Sequence, residues 1–136
     1  MGGNPLTQFE IINDYRLYEE IRDYDSFIIS FCAGSINLSK YSLISTDSHF
    51  NQYDYIGIGR INFCIEPCCN KTEESYILQK KNSEIQTFAN KYKTKVIALP
   101  DESIIVVEDN KLSEFGPNYQ FNYGKYNVKN KNVCFW

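Results

Sequence analysis

A single histidine, His49, stands in the 136 residues. Any chemistry that needs an imidazole base must therefore use that one residue. No apolar run approaches the roughly 20 residues that a helix needs to cross a bilayer, so no membrane span is expected. The first residues, Met1-Gly2-Gly3-Asn4-Pro5-Leu6, lack a basic segment followed by an apolar one, and no cleavable secretory signal is predicted. The expected location is the cytoplasm, or outside it after export by a machine that needs no such signal. Cysteine is present five times, an odd number that excludes a complete internal disulfide framework. Free thiols in a reducing compartment are the simplest reading.

A strong positive charge is also missing. The net charge is −3, which argues against nucleic acid as a partner because phosphate binding is dominated by lysine and arginine. The charge is unevenly spread: residues 1–31 hold six acids against two arginines, and residues 111–136 hold four lysines against one glutamate. An acidic solvated helix and a lysine-protected strand edge account for this pattern. Hydrophobic residues at 43% and aromatics at 15% are enough for a packed core, so a disordered chain is excluded. The length fits one domain spanning 1–136.

Periodicity gives the expected elements. Leu6, Phe9, Ile12, Tyr15, Tyr18 and Ile21 recur at helical spacing after Pro5, predicting one amphipathic helix over 5–23. The apolar run Ser26 to Cys32 predicts a buried strand that ends in the turn Ala33-Gly34. A short strand is expected at 41–45, and Gly57-Ile58-Gly59-Arg60 reads as a tight backbone approach rather than an anion loop, since a phosphate fingerprint places its glycines after a strand. Ile61, Phe63 and Ile65 alternate in a strand over 61–66 that stops at Pro67. A helical pattern covers 72–92 with a break near Asn82, a third buried strand covers 95–99, and a hairpin over 103–115 turns at Asp109-Asn110. Strands separated by helices predict an α/β fold with a mainly parallel central sheet flanked by helices, followed by a β-hairpin-rich C-terminal part.

The chemistry is expected after the strand at 61–66. Cys68 and Cys69 follow it directly, close to the start of the next helix, where the helix dipole favours a thiolate. His49, next to Asp47, is the base available to such a nucleophile. Cys32, Cys64 and Cys134 read as small core hydrophobes. The cysteine and histidine spacing does not form matched Cys-x2-Cys pairs, so neither metal nor cofactor is expected.

Cys32-Ala33-Gly34-Ser35, Cys68-Cys69-Asn70, Phe88-Ala89 and Val96-Ile97-Ala98-Leu99-Pro100 follow one another in an order that resembles the caspase-like (CHAT-type) domains associated with bacterial polymorphic toxins. The resemblance covers residues 26–115 loosely. It implies Cys69 at the nucleophile position, with Cys68 as a neighbour able to replace it. Where that family has its histidine, this chain has Cys32-Ala33, so His49 would have to act from another loop. Two functions follow. One is a catalytically silent caspase-like domain, toxin- or effector-associated, that binds another protein through the aromatic segment 119–136. The alternative is a cysteine-dependent hydrolase or transferase acting on a protein or peptide.

Overall fold

The structure is a computed structural model, and the residues it describes are 3–46, 51–67 and 75–127. The N-terminal helix α1 spans Pro5–Asp14. Asn4 caps it by accepting from the amides of Leu6 at 2.9 Å and Thr7 at 3.2 Å, which satisfies donors that the first turn leaves without partners. The expected single helix over 5–23 is broken. Leu17 N–H donates to Ile12 O and Arg16 N–H to Asn13 O, the two bonds of a Schellman ending. Arg16 takes the left-handed position of that motif at φ 58°, where glycine is usual. A second helix, α2, then runs Tyr18–Asp23.

The expected strand over 26–32 is absent. Residues 27–31 run without turn, bend or strand partner, and the next element is a short helix, α3, at Ala33–Leu38. Three short strands follow in sequence: β1 at Tyr41–Ile44, β2 at Tyr53–Ile56 and β3 at Cys64–Pro67. β1 and β2 pair antiparallel. β1 also runs alongside β3 in the same sense, since Ser39 faces Ile61 in a parallel bridge and Ser45 Oγ donates to Glu66 Oε1 at 2.6 Å.

The long helix α4, Ser75–Tyr92, is continuous through Asn82 and carries the chain from β3 to β4, Val96–Leu99. β3 and β4 are parallel neighbours, with Cys64 opposite Val96 and Glu66 opposite Ala98. This β3-α4-β4 crossover supplies the only parallel ladder among the described residues. Every other ladder is antiparallel: β5 (Ile104–Glu108) with β6 (Lys111–Phe115), β4 with β7 (Tyr119–Asn122), and β7 with β8 (Lys125–Asn127). The expectation of a mainly parallel central sheet flanked by helices is therefore overturned. The described strands form three small sheets with the order β1-β2, β3-β4-β7-β8 and β5-β6. The physical reason is topological. Parallel neighbours need a long crossover, and α4 makes the one such crossover described.

Period-two alternation divides the core between the faces of β3 and β4. Cys64, Val96 and Ala98 meet Ile85, Phe88 and Ala89 of α4, together with Leu43 and Phe121. Phe63, Ile65 and Ile97 form a second cluster, covered by Ile105 and Leu112 of the β5-β6 hairpin. That hairpin turns at Asp109 and Asn110, which take φ 49° and 59° as a two-residue hairpin turn requires. Tyr119 and Phe121, expected at a binding surface, pack against the first cluster instead.

Asp54 on β2 accepts from Lys91 Nζ at 2.6 Å and from the Tyr92 hydroxyl, tying that strand to the end of α4. These two hydrogen bonds hold the Asp54 carboxyl below its ordinary range. A carboxyl lowered in the folded state stabilises the fold above its unfolded pKa, and that contribution is lost as pH falls. Asp54→Asn should thus lower the urea midpoint at pH 7 and match the wild type near pH 2. An equal deficit at both pH values would show that the loss is not electrostatic.

Candidate functional site

The sequence places its catalytic candidates at the carboxyl end of β3. Cys68, Cys69 and His49 lie outside the described residues, as does Cys134. The structure brings a polar cluster to the described edge of that region. Glu66, the third residue of β3, is 4% exposed and Lys81 on α4 is 3% exposed, with Lys81 Nζ 3.5 Å from Glu66 Oε1. Ser45 donates to the same carboxylate oxygen at 2.6 Å. One turn further along α4, Glu84 accepts from Thr46 N at 2.8 Å and Thr46 Oγ1 at 2.6 Å. The cluster joins the ends of β1 and β3 to α4. Ion pairs and hydroxyl bonds of this kind orient backbone, and no group of three or more metal-ligating side chains stands together among the described residues.

The two described thiols have opposite environments. Cys64 is fully buried, and burial, reinforced by the nearby Glu66 charge, pushes its thiol far above the usual range. It is inert packing, as its place in the strand suggested. Cys32, expected in the core, is instead exposed. It sits at φ 45°, ψ −115° immediately before α3, a conformation that costs a non-glycine residue about 1–3 kcal/mol. Iodoacetamide should accordingly modify Cys32 in the native protein and reach Cys64 only in denaturant. Labelling of Cys64 at the same rate as Cys32 would contradict the packing described.

The Gly57-Ile58-Gly59-Arg60 segment makes a close backbone approach. Gly57 is pressed against Ser39 O and Ser42 Oγ, and Arg60 Nη1 donates to Arg22 O at 2.7 Å. Its effect is to close the back of a groove. Ile58 N–H donates to Asn37 O at 2.8 Å. Asn37 Nδ2 in turn donates to Pro5 O at 3.0 Å and Gln8 Oε1 at 2.8 Å. Tyr18 OH donates to Gly57 O at 2.8 Å. These bonds fix α1, α2 and α3 around a cavity of about 450 Å³ whose walls include Ile12, Ile21, Tyr24, Ile28, Leu38 and Ile58.

The front of this groove is the segment that sequence reading placed in the core. Burial alternates along 27–31, with Ile28 and Ser30 half-buried and their neighbours facing solvent. Phe27 is 93% exposed, Ile29 80% and Phe31 64%. Ser30 and Ser35 hydroxyls meet at 3.1 Å, holding the segment to α3. Single exposed apolar residues are ordinary, but three large ones in five residues beside an apolar groove form a contiguous patch of the kind that marks a contact surface. Glu20 is the one charged residue on the described walls, and residues 3–39 contain no lysine. Sequence reasoning missed this surface because a run such as Phe-Ile-Ile-Ser-Phe looks the same buried or exposed.

No protein-family model matches the chain, and no curated protein matches it at a significant level.

Proposed function

We propose that this chain is a catalytically silent protein-binding domain, and that it binds through the apolar surface formed by Phe27, Ile29 and Phe31 and the groove behind them. The observation that supports this is the exposure of those three side chains beside a preformed apolar cavity. Large apolar groups held in water next to a concave wall gain about 25 cal/mol for each Å² that a partner covers, and aromatic anchors dominate such interfaces. The aromatic segment at the C-terminal end is a weaker candidate, because Tyr119 and Phe121 are engaged in the core. A toxin or effector setting rests on the caspase-like motifs alone. The strand that should end at Cys32 in that resemblance is not formed.

The triple variant Phe27→Ser, Ile29→Ser, Phe31→Ser tests the reading. Each side chain is mostly solvated, so each change should alter stability by no more than about 0.5 kcal/mol. A photo-crosslinker placed at position 29 should trap a partner from the source cells, while one at exposed Thr87 on α4 should not. The triple variant should lose the adduct when the crosslinker is placed at Ile28. Equal trapping from 29 and 87, or an adduct that survives the triple substitution, would refute the surface.

A cysteine-dependent hydrolase or transferase is the second reading, and the observation in its favour is the exposed, strained Cys32 at a turn into a helix. Catalysis requires a thiolate near neutral pH. Alkylation at pH 6 that is no faster than that of free cysteine, at Cys32, Cys68 and Cys69 alike, would remove this reading.

A further inference from the structure

The patch has a feature that side chains alone do not explain. Among the described residues, the backbone N–H and C=O groups of residues 27–30 make no backbone hydrogen bond; the one such bond in the segment is from Gly34 N–H to Phe31 O. The run is rich in the residue types that favour strands. No turn or bend interrupts it, its burial alternates residue by residue, and it has no neighbour strand among the described residues. It also lacks the devices that normally protect an open edge, such as lysine, proline or a bulge. We propose that residues 27–31 are a strand-addition site, on which an extended, lysine- or arginine-bearing segment of a partner protein pairs backbone to backbone. This rests on the binding reading above and specifies its mode and its partner.

Main-chain pairing would satisfy the open N–H and C=O groups, and alternate partner side chains would cover Phe27, Ile29 and Phe31. The charge around the site selects the occupant. Glu19 and Glu20 open α2, Glu20 reaches the groove wall, and Asp25 precedes the segment. The arginines nearby are already engaged. Arg22 makes two bonds to Asp23, each at 2.9 Å, and Arg60 Nη1 donates to Arg22 O. Glu19 lies close enough to Arg22 to interact with it, so Glu20 on the groove wall and Asp25 beside the segment are the carboxylates that a cationic peptide meets there. A second copy of this chain would bring the same acids against them, and like-charge juxtaposition disfavours that pairing. A small apolar ligand could fill the groove but would leave Phe31, which is not on its walls, uncovered and the backbone groups of the run unpaired.

The test is a ¹⁵N NMR titration of the full chain with synthetic octapeptides. One alternates valine and lysine, and a second has glutamate in place of lysine. Two more carry N-methyl groups on alternate backbone nitrogens of the valine-lysine peptide, one in each phase. The valine-lysine peptide should shift the amides of residues 27–31 and slow their exchange with D₂O. The glutamate peptide should bind at least tenfold more weakly, and one N-methylated phase should lose at least tenfold. Ile29→Pro, which removes an exposed N–H, should abolish binding with the fold intact by circular dichroism. Equal binding by both N-methylated phases would overturn strand addition while leaving the binding surface in place. Equal binding by the glutamate peptide would overturn the cationic partner. Shifts confined to other residues, no shifts at all, or concentration-dependent protection of residues 27–31 without peptide would overturn the proposal outright. The triple serine variant reports on the binding surface itself, so the two failures are told apart.

Discussion

Gly57→Ala should cost about 3 kcal/mol and lower the melting temperature by about 10 °C. A Cβ at this position would fall inside contact distance of Ser39 O and Ser42 Oγ and would lie 3.0 Å from Asn37 O. Two of those three atoms are backbone, so no rotamer change can relieve the clash. Gly57 N–H also donates to Lys40 O at 3.1 Å, and Gly57 O accepts from Tyr18 OH, so the glycine cannot retreat without breaking bonds on both sides. The segment it anchors forms the back wall of the groove. The substitution should therefore weaken partner capture as well as stability. Gly59→Ala is the control: its φ of 78° favours glycine, yet the nearest atom to its Cβ is 4.0 Å away. That change should cost about 1 kcal/mol. Equal effects of the two substitutions in urea denaturation would show that the close approach at Gly57 is not what constrains it.

The parts of this fold that the sequence discloses are those where local pattern and tertiary environment agree. The β5-β6 hairpin is one, since Asp109-Asn110 tolerates the positive φ values that the turn needs. The parallel pair β3-β4 is another, because Ile65, Val96 and Ile97 are apolar and are buried on both faces. What the sequence hides is competition for neighbours. A strand needs an open edge to pair with, and the place beside β3 is taken by the strand Tyr41–Ile44, which the sequence discloses as a strand but not as this neighbour, rather than by the apolar run 27–31. Ser42 and Ser45 can be buried there because Ser42 donates to Ile36 O at 2.8 Å and Ser45 to Glu66. Hydrogen bonds of that kind leave no periodic signature. The same competition left the apolar run at the surface, so the binding face proposed above consists of residues that composition assigns to a core. The helix break at Arg16 was hidden for a simpler reason, since the left-handed position of its Schellman ending holds an arginine where glycine would have marked it.

Lys81→Met should destabilise the protein by about 3–5 kcal/mol, the range for removing one partner of a buried ion pair. The Lys81 ammonium is 3.5 Å from Glu66 Oε1, and both side chains are 5% exposed or less. Ser45 would still donate to the carboxylate, but neutral hydrogen bonds, worth about 1 kcal/mol net each, do not replace an opposing charge in a dry setting. The double variant Lys81→Met, Glu66→Leu should recover most of the loss, because well-packed apolar replacements of a buried pair are often neutral or better. Recovery would be incomplete by the hydrogen bonds that the carboxylate loses, the one from Ser45 among them. A double-mutant cycle in urea reads the coupling between the two side chains directly. Additive effects of the two single substitutions would show that the pair does not interact across β3 and α4. The result also bears on function. If the apolar double variant folds with full stability and still engages the partner at Phe27, Ile29 and Phe31, the polar cluster serves to align β1, β3 and α4. If stability returns and a thiol activity disappears, the carboxyl end of β3 holds chemistry, and the catalytically silent reading fails.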